Sequence, residues 1–143
     1  MKFTRTEFGY LARLEPGEEI IGTLSDFVRA RDIGTASVSG IGAAGELNIG
    51  YFDRSRKEYV KKGLGGEYEI LGLTGNISHV GEEPWVHVHV ILSGPDFAAV
   101  GGHLFSGKVT VTVELALVVS YERVQRKEDA ASGFRHLELD ESL

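Results

Sequence analysis

The chain has 143 residues, 42% of them apolar and 25% charged, which suits one soluble domain with its own core and excludes a disordered or fibrous chain. A net charge of −6 with neutral histidines opposes broad attraction to nucleic-acid phosphates. Without cysteine the sequence has neither disulfides nor thiolate metal sites, so any transition-metal site must use histidine and carboxylate.

Residues 2–14 alternate irregularly, with Phe3, Phe8, Tyr10, Leu11 and Leu14, and predict a first strand. Glu15-Pro-Gly-Glu-Glu19 then opens a helix, with proline near the first turn and carboxylates where the helix dipole favours them. Ile20, Ile21, Leu24, Phe27 and Val28 make one buried stripe at helical spacing, and Gly34 is expected to stop the helix. A strand over 36–41 runs into glycines at 40, 42 and 45. They match no nucleotide-binding spacing, since neither the Lys-Ser/Thr of a Walker loop nor a strand-to-helix context accompanies them. A tight connection or a bulge is their expected use.

Residues 47–53 and 58–62 predict two further strands. Arg54, Arg56, Lys57, Lys61 and Lys62 form a concentrated basic patch there, read as a solvated hairpin face. Residues 67–79 predict a long strand with a glycine-permitted bend, and 80–84 a turn.

The next strand, Trp85-Val-His-Val-His-Val-Ile-Leu92, organises the rest. Alternation sends His87 and His89 to one face and Val86, Val88 and Val90 to the other. Two imidazoles at i and i+2 can reach one metal ion. Ser93-Gly-Pro-Asp96 predicts a chain reversal, and Gly101-Gly-His103 beyond it brings a third histidine, so three of the five histidines fall within 17 positions. Three neutral imidazoles with an open fourth position is the arrangement of a reactive zinc site rather than a closed structural one. The competing reading is that these are hydrogen-bonded core histidines, and spacing alone does not choose. His79, beside a turn, is a weaker fourth candidate.

Residues 109–120 give the clearest strand, with Val109, Val111, Val113, Leu115 and Leu117 toward the core. Glu114 lies within it. A carboxylate in so apolar a strand suits a general base, a metal ligand or a partner to a histidine, and equally an exposed residue. Beyond Tyr121 the chain becomes a polar tail, 122–143, with a last short strand near Phe134 and Leu137 and with His136 at the surface.

From about Tyr10 to Tyr121 the sequence resembles the PPC (plants-and-prokaryotes conserved) domain, of the prokaryotic stand-alone type. The resemblance rests on the helix stripe followed by Ser39-Gly-Ile-Gly42, on Gly66-Glu-Tyr-Glu-Ile-Leu-Gly-Leu-Thr-Gly75, on His87-Val-His89 and on Gly101-Gly-His103. It implies a single α+β domain over 1–143, with a curved, largely antiparallel, barrel-like sheet beside one main helix, assembled as a homotrimer. That fold also looks like acetolactate decarboxylase, an enzyme whose zinc is held by three histidines. Carried over, the metal ligands are His87, His89 and His103 and the metal zinc; Glu114, from its own place in an apolar strand, is the candidate proton carrier. The ligand would be a small polar molecule, by fold analogy a hydroxy- or keto-acid. In plants the domain accompanies AT-hook motifs, which gives the family its DNA-binding label. This chain has no Arg-Gly-Arg-Pro hook and is acidic, so the label transfers poorly.

Three functions fit the sequence: a metal-binding protein or metal-dependent enzyme; a DNA-associated or protein-interaction module; and a structural trimer. No membrane segment is expected, since the longest nearly uncharged apolar run, 109–119, is too short. The first residues lack an apolar h-region, and a cytoplasmic location is the expectation.

Overall fold

The irregular alternation at the start resolves into a hairpin, β1 (Lys2–Thr6) and β2 (Gly9–Leu14), rather than the single strand expected. A turn at Glu7 and Phe8 reverses the chain. Then follow α1 (Ile20–Ala30), β3 (Thr35–Asp53), β4 (Glu58–Val80), β5 (Glu83–Ser93), β6 (Ala99–Ser120), β7 (Arg126–Asp129) and β8 (Phe134–Leu137). These come from a computed structural model that describes residues 1–140; the last three residues of the expected tail lie outside the described residues.

Six strands form one antiparallel sheet in the order β1-β2-β6-β3-β4-β5. The start of β6 also pairs with β5, so β6, β3, β4 and β5 close into a ring. The architecture is the curved, barrel-like α+β fold expected. Closure leaves those four strands no open edge between them.

The segments 36–41 and 47–53 are one strand, as are 58–62 and 67–79. The glycines explain the difference. Register shifts between Gly40 and Gly42, and between Gly45 and Leu47, bend β3 without ending its ladders. Bulges of this kind curl a long strand instead of interrupting it. A related slip sends Val111 outward. Gly42 pairs Val113 and Ala44 pairs Val109, so two residues of β3 oppose four of β6. Val111, expected in the core, is 65% exposed, while Val109, Val113, Leu115 and Leu117 are buried.

The helix stripe behaves as its spacing dictates: Ile20, Leu24, Phe27 and Val28 are buried, and α1 packs on β5 and β6. Its ends differ from expectation. Pro16 and Gly17 form a turn before the helix, and Glu19 is the N-cap, accepting from the backbone N–H of Ile21 (3.2 Å) and Gly22 (2.6 Å). The same carboxylate accepts from Gly107 N–H at 3.2 Å, tying the helix to β6. At the other end Asp32, not Gly34, adopts the left-handed conformation (φ 49°), and Ile33 N–H returns to Val28 O at 3.1 Å. Glu19→Ala is expected to cost about 1–2 kcal/mol, since three donors lose their acceptor at once, measured by urea denaturation.

Candidate metal centre

The pleat of β5 settles which side chains meet. Val86, Val88 and Val90 are buried in the main core, and Trp85, His87 and His89 project to the opposite face. On one side β4 pairs Thr74 with His89, Asn76 with His87 and Ser78 with Trp85. On the other, the strand closure pairs His89 directly with His103 of β6. The reversal expected at Ser93–Asp96 is therefore what delivers the third imidazole.

The three rings form a nearly even triangle, with centroids 5.3 Å apart for His87 and His89, 5.0 Å for His87 and His103, and 5.4 Å for His89 and His103. One ligating nitrogen from each lies within 4.8 Å of the others. Tetrahedral coordination with bonds of about 2.0–2.1 Å asks for a spacing of about 3.3 Å, so no pair of nitrogens needs to close by more than about 1.5 Å. His87 Nε2 and His103 Nδ1 are buried without a hydrogen-bond partner. Two orphaned ring nitrogens in one cluster are costly unless something accepts their lone pairs or protons. A metal ion fits that need.

Burial first, and then the positive charge of Arg126 and the neighbouring imidazole of His89, pushes His87 down to about 4. His103 is pushed down to about 4 as well, by burial, by His87 and His89, and then by Arg126 and Lys61. Both rings are thus neutral at pH 7, the form that ligates. In the unfolded chain they would titrate near 6.5. Below that value the unfolded state binds more protons than the folded one, so stability falls as pH drops from 6.5 toward 4. Between pH 7 and pH 5 the metal-free protein is expected to lose at most about 2 kcal/mol per ring, less for half-buried His87 where solvent screens the charge. Urea midpoints at the two pH values, beside a His103→Gln variant with a smaller loss, check this.

The site has more walls than the spacing of histidines suggested. His103 is flanked by Tyr59 at 4.9 Å and Phe105 at 4.6 Å between centroids. Phe134 of β8 faces His87 at 6.0 Å and Phe52 at 5.4 Å. Two cavities of about 250 Å³ and 400 Å³, both lined by Phe134, reach His87 and His103.

The polar tail is the largest surprise. It folds as the β7–β8 hairpin and buries Arg126, 7% exposed, beside the histidines. Arg126 Nη2 lies 3.0 Å from His87 Nδ1. A guanidinium only donates, so Nδ1 accepts, and in the neutral ring the proton sits on Nε2. Nothing in the stretch Gln125-Arg-Lys-Glu-Asp129 separates this arginine from ordinary solvated charge. The alternation of Asn76 and Ser78 beside buried Ile77 is a faint signal, since both hold the guanidinium.

The other expected residues fall elsewhere. His79 is buried, and its Nε2–H donates to Ile33 O at 3.0 Å, so it holds the end of the helix loop and is not part of the cluster. His136 is exposed on β8, as expected. Glu114 does not join the histidines. It is exposed on β6 opposite Arg13 and Ile41, in an open depression with Lys2 and Phe3. Eleven positions along β6 separate it from His103, up to about 36 Å at the usual rise. Within one chain it is out of reach of the cluster.

The Plants and Prokaryotes Conserved (PCC) domain family matches residues 1–120. No curated protein matches the sequence. Among solved structures, a metal-containing protein of Archaeoglobus fulgidus is 37% identical, with a TM-score of 0.85 over 96% of this chain and 97% of that one. A plant- and prokaryote-conserved (PPC) protein of Pyrococcus horikoshii is 36% identical, with a TM-score of 0.83 over 97% and 95%. A protein of Ralstonia eutropha named as a candidate DNA-binding protein is 29% identical, with a TM-score of 0.91 over 97% and 96%.

Proposed function

The chain belongs to the Plants and Prokaryotes Conserved domain family, and from that premise we propose that it is a homotrimeric metal-binding protein whose His87, His89 and His103 hold one zinc ion that acts on a small polar molecule. The convergence of three imidazoles from adjacent strands, two of them with orphaned nitrogens, carries this reading. The name of the Archaeoglobus relative, a metal-containing protein, agrees with it. Zinc suits an all-imidazole set without thiolate.

Zinc bound by three neutral imidazoles supplies Lewis acidity at an open position. The chain does the rest. Tyr59 and Phe105 pack together against the His103 ring, and Phe134 walls the approach to His87. Among the described residues, the hydrogen bond to a clustered histidine comes from Arg126 to His87 and not from a carboxylate.

Self-association is supported by the outer face of the sheet. Ile91 of β5, Leu71 of β4, Ile41 of β3 and Leu11 of β2 are each more than half exposed. An apolar strip across one sheet suits coverage by another copy. No helix among the described residues is long and apolar enough to cross a membrane. The DNA-binding name of some relatives gains little here: the basic residues around the β3–β4 turn sit in a chain of net charge −6. Elemental analysis of untagged protein, with the mass of the same sample by light scattering, tests the proposal.

A further inference from the structure

Arg126 is a buried cation held by neutral groups. Its Nε donates to Ser78 Oγ (2.8 Å), Nη1 to the Arg135 carbonyl (2.9 Å), and Nη2 to Asn76 Oδ1 (2.7 Å) and His87 Nδ1 (3.0 Å). Among the described residues no carboxylate pairs with it. Burying a cation without a counter-charge is unfavourable, and hydrogen bonds to neutral oxygens offset only part of the cost. These contacts use four of its five N–H groups and leave one on Nη1.

Arg126 lines the cavity of about 250 Å³ that also reaches His87 and His103. The walls are aromatic, with Tyr59, Trp85, Phe105 and Phe134 among them. Charges at the mouth roughly cancel: Glu58 and Glu128 face Lys57 and Arg135. The net positive charge inside therefore comes from Arg126. The volume sits just below the range typical of small-molecule pockets, so the occupant is small.

We propose that this cavity is a carboxylate-binding subsite, in which Arg126 takes the anionic end of a small ligand whose planar or apolar body lies among the aromatic rings. The inference rests on the metal reading only for the ligand's other end, which points toward the histidines. A carboxylate suits the site better than a phosphate, because one unspent N–H and one compensating charge meet the needs of a monoanion. The charged group comes from β7, just past residues 1–120 that the family model matches.

Trp85, the chain's one tryptophan, lines this cavity and reports on it directly. Chelator-treated full-length protein is titrated with benzoate and with neutral benzamide, following Trp85 fluorescence. Benzoate is expected to bind saturably and about tenfold or more tightly than benzamide. Arg126→Gln abolishes that preference, and Arg126→Lys keeps part of it, with circular dichroism checking that each variant is folded. Equal binding of the two probes, or an unchanged preference in folded Arg126→Gln, overturns the proposal. If the glutamine variant does not fold, the wild-type ratio decides, and suppression of benzoate binding by added salt must accompany it. His89→Ala, which does not touch Arg126, separates the two readings: a chain that binds no zinc yet prefers benzoate keeps the subsite and loses the metal function.

Discussion

Wild-type protein purified without added metal, then incubated with zinc and dialysed, is expected to hold about one zinc per chain, and His87→Ala/His89→Ala to hold none. Removing two of three imidazoles leaves His103 alone, and a single neutral imidazole binds zinc weaker by roughly three orders of magnitude or more. The loss should also appear as stability. A ligand at a hundred times its dissociation constant raises folding stability by about 2.7 kcal/mol, so chelator should lower the melting temperature of the wild type and leave the variant unmoved. His87→Ala also removes an acceptor from Arg126, so the single variant His89→Ala is the cleaner control, since His89 is exposed and lies outside that network. Wild type that retains no metal after loading with zinc would sink the metal reading and leave a structural trimer or a partner-binding module.

The second large effect concerns the strand pairing beneath the site. Gly75→Ala is expected to cost about 3 kcal/mol or more in urea denaturation. A Cβ at Gly75 would lie 2.0 Å from the His87 carbonyl oxygen and 2.7 Å from Val88 Cα. Both are backbone atoms of β5, so no side chain can turn aside. Relief requires β4 and β5 to part where Gly75 pairs Val88 and Asn76 pairs His87. Zinc affinity should fall with stability, because the same shift moves His87 and His89. Gly72→Ala is the matched control on the same strand. Its added Cβ meets nothing within 4 Å, and it should change stability by no more than about 0.5 kcal/mol. Equal stabilities for the two variants would mean that the β4–β5 register is wrong.

The tail shows where reading the chain element by element reaches its limit. Arg126, Phe134 and their neighbours look like any polar surface segment, and only packing reveals a buried guanidinium and an aromatic wall. His79 and Glu114 show the converse. Each had a residue type that suits a site, yet one holds a helix loop and the other faces an open depression on a distant part of β6.

What the sequence determined by itself was local. Period-two alternation placed His87 and His89 on the face opposite Val86, Val88 and Val90, and helical spacing identified the stripe that α1 buries. The shared motifs indicated the curved sheet and the histidine triad. The tertiary structure alone decided the rest. Closure of β6 against β5 sets His103 beside His89, a register slip turns Val111 outward, and the folded tail brings Arg126 to His87. Side-chain alternation is a property of neighbouring residues and can be read along the chain. Register, ring closure and tail docking depend on hydrogen bonds between strands far apart in sequence, and a single misplaced bulge reverses which face a residue takes.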